Sequence, residues 1–238
     1  MQMNASSIVN QKAEWEKLGV KLPAFDHAAM TAATKEHPIW VHFGAGNIFR
    51  GFIAALQQRL LNEGVADRGI IAADTFDYDI IDKIYTPYDN LTMNVTLNPD
   101  GTTSREIIGS VAEGLRANSA DAVMMARFKQ IFTDPSLQMI SFTITEKGYA
   151  LYRPDGSCLP PKQAAEKMLA GIEAIAAQCN HLIIVSNEVF SGGADYAGET
   201  DLYLQALAMV NNAVAAKADA VCRVVCGLPV YYKGEERP

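Results

Sequence analysis

An apolar β-like segment that runs straight into two closely spaced glycines and then into a long amphipathic stretch leaves few folds open. Residues 39–64 are built this way: IWVHF, then GAG, then NIFRGFIAALQQRLLNEG. The first segment reads as a buried strand. The second reads as a helix whose apolar positions Ile48, Phe52, Ala55, Leu56 and Leu60 recur at helical spacing, with Gly64 as the stop. A strand, tight glycine turn and helix in that order form a cradle for a pyrophosphate. Glycine allows close backbone approach, and the first turn of the helix supplies unpaired N–H groups and partial positive charge.

The glycine pattern is incomplete. Gly44 and Gly46 fill the first two positions of G-x-G-x-x-G, but the third is Phe49, and Gly51 comes two residues late. Asp74 closes the next apolar run, GIIAAD (69–74), where a ribose-binding carboxylate belongs. A carboxylate there accepts from a ribose 2′-OH and repels a 2′-phosphate, which favours NAD over NADP. A βα turn that needs its glycines only for geometry is the competing reading.

The remaining chain alternates in the same manner. Short helices precede residue 36. LTMNVTL (91–97), the turn NPDG and REIIGSVAE (105–113) read as a hairpin, 119–134 as a helix, and 137–149 opens as a strand. LYRPDGSCLPPKQ (151–163) has the Pro and Gly content of a linker. Beyond it come a helix (164–178), a strand (181–190), a Gly-rich turn, a helix (199–217) and a strand (219–226). The expected class is α/β: a doubly wound, mostly parallel sheet with helices on both faces and one β-hairpin.

The expected domains are 1–152, a dinucleotide-binding unit with a helical N-terminal extension; 153–164, a linker or junction; and 165–238, an α/β segment that either completes the same sheet or packs loosely against it as a separate piece. A net charge of −7 with no basic cluster excludes a general nucleic-acid binder. No apolar run approaches the ~20 residues that span a bilayer. The N-terminus lacks a basic region followed by an apolar core, so the expected location is the cytoplasm. Cys158, Cys179, Cys222 and Cys226 match neither a zinc nor a disulfide pattern and are expected to be reduced, buried thiols.

HFGAGNIFRGF, AADTFDYDIIDKIYTPYDNLTMNVTLNPDGT, EIIGSVAEGL and ISFTITEKGYAL together resemble the N-terminal half of the long-chain polyol dehydrogenases, which include mannitol dehydrogenases and the fructuronate and tagaturonate reductases. The resemblance covers about residues 38–152. It implies a Rossmann domain that binds NAD, with Gly44, Gly46 and Arg50 near phosphate, Asp74 at the adenosine ribose, and Asn47 also among the cofactor-binding residues. It puts Thr143, Thr145, Glu146 and Lys147 toward the nicotinamide. On its own, the TEKG segment also fits a solvated turn with a weak ion pair.

In that family a lysine, with an asparagine and a histidine downstream, handles the alcohol proton from a C-terminal helical domain. The 238 residues contain no K-x4-N-x2-H arrangement; His27, His37, His42 and His181 follow no such lysine. The resemblance therefore implies a cofactor-binding portion with weak or no turnover alone, acting on a sugar acid or polyol only with a catalytic domain supplied. His42, mid-strand, reads as a packed core histidine. No catalytic residue and no metal site is assigned.

Residues 165–234, with VSNEV, VNNAVAAKAD and VCGLPVYYKG, resemble the adenosylcobinamide kinase/guanylyltransferase family. The phosphate loop such a kinase needs, G-x-x-x-S-G-K-[ST], does not occur in the sequence. Two alternative functions stand beside the first: a nucleotide-binding protein of cobalamin synthesis, and a non-catalytic α/β module that self-associates through uncovered apolar surface.

Overall fold

The computed structural model describes residues 2–144, 153, 155–193 and 196–235. The chain divides into two compact units, Met1–Gly148 and Tyr149–Pro238.

In chain order the first unit contains α1 (Ala5–Asn10), α2 (Lys12–Lys17), β1 (Val20–Lys21), α3 (His27–Glu36) and β2 (Trp40–Phe43). A helix then runs through a π-helical segment, Phe49–Ile53, into α4 (Ala54–Asn62), followed by β3 (Ile70–Asp74) and a second π-helical segment, Ile80–Tyr85. β4 (Thr92–Leu97), β5 (Thr103–Ile108), β6 (Val111–Arg116), α5 (Ala122–Thr133) and β7 (Met139–Phe142) complete it.

Four strands form one parallel sheet in the order β6-β3-β2-β7. The chain moves outward from β2 through β3 to β6, then returns to β2's other side as β7. The order therefore reverses beside β2. Successive residues of a strand face opposite sides, and β2 and β3 carry apolar groups on both. Ala45, Phe49, Ala54, Ile70, Ala72 and Tyr85 pack on one face; Val41, Ile71, Ala73 and Leu115 pack against Phe128 and Ile131 of α5 on the other. Each large apolar side chain enclosed this way is worth about 1.5–3 kcal/mol. The parallel, doubly covered sheet expected from the alternating pattern is present.

The helix after β2 buries a different face from the one its apolar spacing suggests. Ile48, Phe52, Leu56 and Leu60 are exposed, while Phe49, Ala54, Gln57, Gln58 and Leu61 are buried. The π-helical segment adds residues to a turn and rotates everything after it relative to an uninterrupted α-helix. The buried amides are satisfied: Gln57 Nε2 donates to the Arg68 carbonyl at 2.6 Å and Gln58 Nε2 to that of Ile107 at 2.8 Å, while Gln58 Oε1 accepts from the Gly109 N–H at 2.6 Å.

The expected strand at 105–113 is two strands. β5 pairs antiparallel with β4 from Thr92↔Ile108 to Leu97↔Thr103, the hairpin that the NPDG turn implies, and also pairs in parallel with β1. At Gly109–Ser110 the chain leaves this small sheet and enters the main one as β6. A Cβ on Gly109 would come within 3.1–3.2 Å of His27, Pro23 and Leu91 side chains, and Ser110 Oγ donates to the Ala54 carbonyl at 2.6 Å.

The second unit contains α6 (Pro161–Ala176), α7 (Glu199–Lys217), β8 (Val221–Val225) and β9 (Leu228–Lys233). The two helices pack through Ala164, Ala165, Ala206, Leu207 and Val210. β8 and β9 form an antiparallel hairpin whose turn is Cys226 (φ 51°) and Gly227 (φ 83°). The last strand expected at 219–226 is thus the first arm of a hairpin. The strand expected at 181–190 is not formed: residues 181–189 have no regular structure, and Ile183 and Val185 are exposed. An apolar run becomes a strand only where another strand accepts its backbone hydrogen bonds. Cys179, Cys222 and Cys226 are exposed and Cys158 is half-buried, contrary to the expectation of buried thiols; Cys222 and Cys226 belong to a hairpin whose residues are almost all exposed.

Candidate functional site

Open α/β sheets take ligands in the crevice beyond the C-terminal strand ends, where the strand order reverses. Here that point lies between β2 and β7, and the turn Gly44–Ala45–Gly46 forms its wall. Gly44 has φ 107°, and a Cβ there would fall 2.6 Å from the Thr143 carbonyl oxygen at the end of β7. The Thr143 N–H donates to Phe43 O at 2.9 Å, so the pairing continues one residue past the strand. Gly44 is therefore required by the approach of β7. Among the described residues Gly46 has no heavy atom within 4 Å of the corresponding position, and its φ is normal, so their packing does not demand it.

The turn is braced from three directions. The Gly44 N–H donates to Ala73 O at 2.8 Å. Asp74 Oδ2 accepts the Ala45 N–H at 3.1 Å, while Oδ1 accepts the N–H groups of Phe76 and Asp77 at 2.9 and 2.8 Å. One carboxylate thus ties the end of β2 to the loop after β3. Tyr85, fully buried, donates its hydroxyl to Ala45 O at 3.0 Å. Burial pushes the phenol's pKa well up, Asp74 adds to that and Arg50 opposes it, so Tyr85 remains a neutral donor.

Arg50 lies in the first π-helical segment with its guanidinium 6.0 Å from the Tyr85 ring centre. Its Nη2 donates to Asn47 Oδ1, and its Nε is buried without a partner among the described residues. Two clefts flank it. One, of about 290 Å³, lies against Gly51 and β4, with Thr92, Asn94 and Thr96 on its wall. The other, of about 350 Å³, lies between Gly46 and the second π-helical segment and includes Asp77, Asp79 and Lys83. The hydrogen bond from Lys83 to Asp79 raises the lysine's pKa and keeps it cationic. The structure thus brings Gly44, Gly46, Asn47, Arg50, Asp74 and Thr143 to one end of the sheet. Thr145, Glu146 and Lys147 lie outside the described residues.

Sequence reasoning gave no functional weight to the group beneath the turn. His42 is fully buried in β2 and stacks on Phe49, ring centres 4.3 Å apart. Its Nδ1 is 2.7 Å from Ser141 Oγ and its Nε2 is 2.8 Å from Thr143 Oγ1; Trp40 Nε1 donates to the same Ser141 oxygen at 2.7 Å. Burial lowers the His42 pKa to about 4, against a small opposing effect of the Gly44 backbone, so the ring is neutral at pH 7. The available signal was the alternation itself: Trp40, His42 and Gly44 share a face of β2, as Ser141 and Thr143 do on β7.

Comparison with known proteins finds relatives of two kinds. D-mannonate oxidoreductase of Thermotoga maritima is 48% identical over 171 residues, covering 72% of this chain and 31% of that protein. The N-terminal region matches the mannitol dehydrogenase-type oxidoreductases. Mannitol 2-dehydrogenase of Cereibacter sphaeroides is 29% identical over 133 residues, 55% of this chain and 25% of that protein. Among solved structures, Pseudomonas fluorescens mannitol 2-dehydrogenase, in ternary complex with NAD and D-mannitol, aligns with a TM-score of 0.50 at 24% identity, over 69% of this chain and 32% of that one. The fold is shared. The chain spans between a quarter and a third of the length of these relatives. A second match lies toward the other end: the family described as Cobinamide kinase / cobinamide phosphate guanyltransferase matches residues 136–232. No helix among the described residues is long and apolar enough to cross a membrane.

Proposed function

We propose that this chain binds NAD(H) across the β2–β7 crevice, as the cofactor-binding portion of a polyol or hexuronate dehydrogenase. The observation that carries the reading is the Gly44 turn, pressed against Thr143 where the strand order reverses and followed at once by a helix start carrying Asn47 and Arg50. Arg50 and the N–H groups of the first turn take the pyrophosphate. Asp74 Oδ2 already accepts Ala45 N–H, and its second lone pair is available to the adenosine ribose hydroxyl, which favours NAD over NADP. Thr143, with Thr145, Glu146 and Lys147, belongs to the nicotinamide side.

The relatives' names support a sugar acid or polyol as the substrate class. Without a K-x4-N-x2-H arrangement in these 238 residues, turnover by this chain alone is expected to be weak or absent. Calorimetric titration with NADH, with NADPH and GTP–Mg²⁺ in parallel, tests the reading. Saturable NADH binding, lost in Gly46→Val and weaker for NADPH, is the expected result; no saturation with NADH overturns it. The match at 136–232 favours one alternative, a nucleotide-binding protein of the cobinamide kinase type, and GTP binding alone would transfer the function there.

A further inference from the structure

We infer that His42 is a positioning residue: through a one-way chain of hydrogen bonds from Trp40 it turns the Thr143 hydroxyl into a donor aimed at the nicotinamide-riboside half of the cofactor. The inference rests on the NAD(H) reading above and adds a specific contact to it.

The direction proposed rests on what each group can do and on which hydroxyl lies at the crevice. An indole N–H only donates, so Trp40 occupies one lone pair of Ser141 Oγ at 2.7 Å. The remaining partner of that oxygen among the described residues is His42 Nδ1, at 2.7 Å. Ser141 Oγ keeps a second lone pair, so this contact can run either way. The direction proposed gives the serine proton to Nδ1, which is left as an acceptor, because only then does the free hydroxyl proton fall on Thr143 at the crevice. A neutral imidazole has one N–H, so the hydrogen is on Nε2 and donates to Thr143 Oγ1 at 2.8 Å. Thr143 Oγ1 is thereby an acceptor toward the protein and keeps its own O–H. Thr143 is half-buried at the C-terminal end of β7, beside Gly44 at the reversal of strand order, so that O–H faces the crevice.

Three features hold the arrangement still. His42 has no exposed surface, its ring lies flat on Phe49 with an interplanar angle of 10°, and β2 and β7 are in register at His42↔Ser141. The depressed pKa fits a ring that stays neutral while it relays direction. Transferring the dinucleotide's far half onto a donor that has already lost its rotational freedom costs less than ordering a free hydroxyl at the moment of binding.

Two measurements on the full chain test this. Side-chain ¹⁵N spectra of the histidines should report His42 as the neutral Nε2–H tautomer at pH 7, becoming a mixture in Ser141→Ala. An Nδ1–H tautomer or an imidazolium in the unmodified chain overturns the inference, whatever the chain binds. Titrations with NADH and with ADP, which lacks the nicotinamide-riboside half, then locate the donor. Thr143→Val should weaken NADH about three- to tenfold, as loss of one hydrogen bond does, leave ADP unchanged, and be rescued by Thr143→Ser. Equal weakening of both ligands, or of neither, overturns the inference and leaves NAD(H) binding standing. Failure of the unmodified chain to bind NADH overturns the cofactor reading, and the contact with it, while the tautomer result still stands by itself.

Discussion

The two units use similar helices and strands and enclose very different amounts of apolar surface. In the first, β2 and β3 are covered on both faces, and Val41, Ile70, Ile71, Ala72 and Ala73 have no exposed surface. In the second, two helices bury three alanines, a leucine and a valine between them, and every residue of β9 is exposed. A binding site needs groups held to within about half an ångström. Only a sheet fixed from both sides can press one backbone onto another as Gly44 meets Thr143. The hairpin of the second unit is held by little more than edge contacts among the described residues, Arg223 to Glu188 and Lys233 to the Ala215 and Ala216 carbonyls.

The largest test of the comparison is Gly44→Val. The added Cβ meets the Thr143 carbonyl, and φ 107° is hostile to a β-branched residue. A loss of about 3 kcal/mol or more is expected, with NADH binding lost as well. Gly46→Val, in open space, should change stability by less than about 0.5 kcal/mol and still abolish NADH binding. Both tryptophans, Trp15 and Trp40, lie in the first unit, so their fluorescence during urea unfolding reports that unit.

Acid provides the next. His42 titrates near 4 in the folded chain and near 6.5 unfolded, so between these values the unfolded chain binds more protons. Stability is fully present above about pH 6.5, falls as pH drops toward 4, and changes no further from this group below that. The expected loss is roughly 3 kcal/mol, and His42→Gln should flatten much of it. His27, whose pKa burial also lowers, contributes a slope of the same sign that remains in the variant. An unchanged slope in His42→Gln would falsify the assignment.

In the second unit Leu207→Ala should cost about 2 kcal/mol, the low end for a core leucine, because so little packs around it. Hydrogen exchange of α6 and α7 should accelerate while the tryptophan signal stays put. The smallest effect is Lys217→Ala. Its ion pair with Glu173 is more than half exposed at both ends, and its removal should shift exchange in those helices by less than about 0.5 kcal/mol.

The same contrast decided what could be read from sequence. β2, β3 and the hairpin turn at 98–101 carry signals contained within a few residues: an apolar run bounded by glycine, or Pro-Asp-Gly. The buried face of the helix after β2 could not be read, because the π-helical segment shifts its register and because Gln57 and Gln58, polar by composition, are enclosed by carbonyls and an N–H supplied from elsewhere. Residues 105–113 look like one strand because nothing local announces that Gly109 passes between His27, Pro23 and Leu91. HLIIVSNEVF has strand composition, and composition is silent on whether a neighbour is present. At the site, Gly44, Gly46, Arg50 and Asp74 were visible as a spaced pattern. His42 was visible only as a core residue, since its partners are about a hundred positions away.

That separation bears on how the chain reaches its native state. Ser141 and Thr143 lie 99 and 101 residues after His42, and Trp40 is 101 residues before its serine. β2 and β3 can pair long before β7 is available, whether during synthesis or in early refolding, and closure of so long a loop is slow. Until β7 docks, His42 lacks both of the hydroxyl partners it has in the native sheet. Docking of β7 brings Ser141 and Thr143 to the ring together, which makes this histidine a reporter on the arrival of that strand.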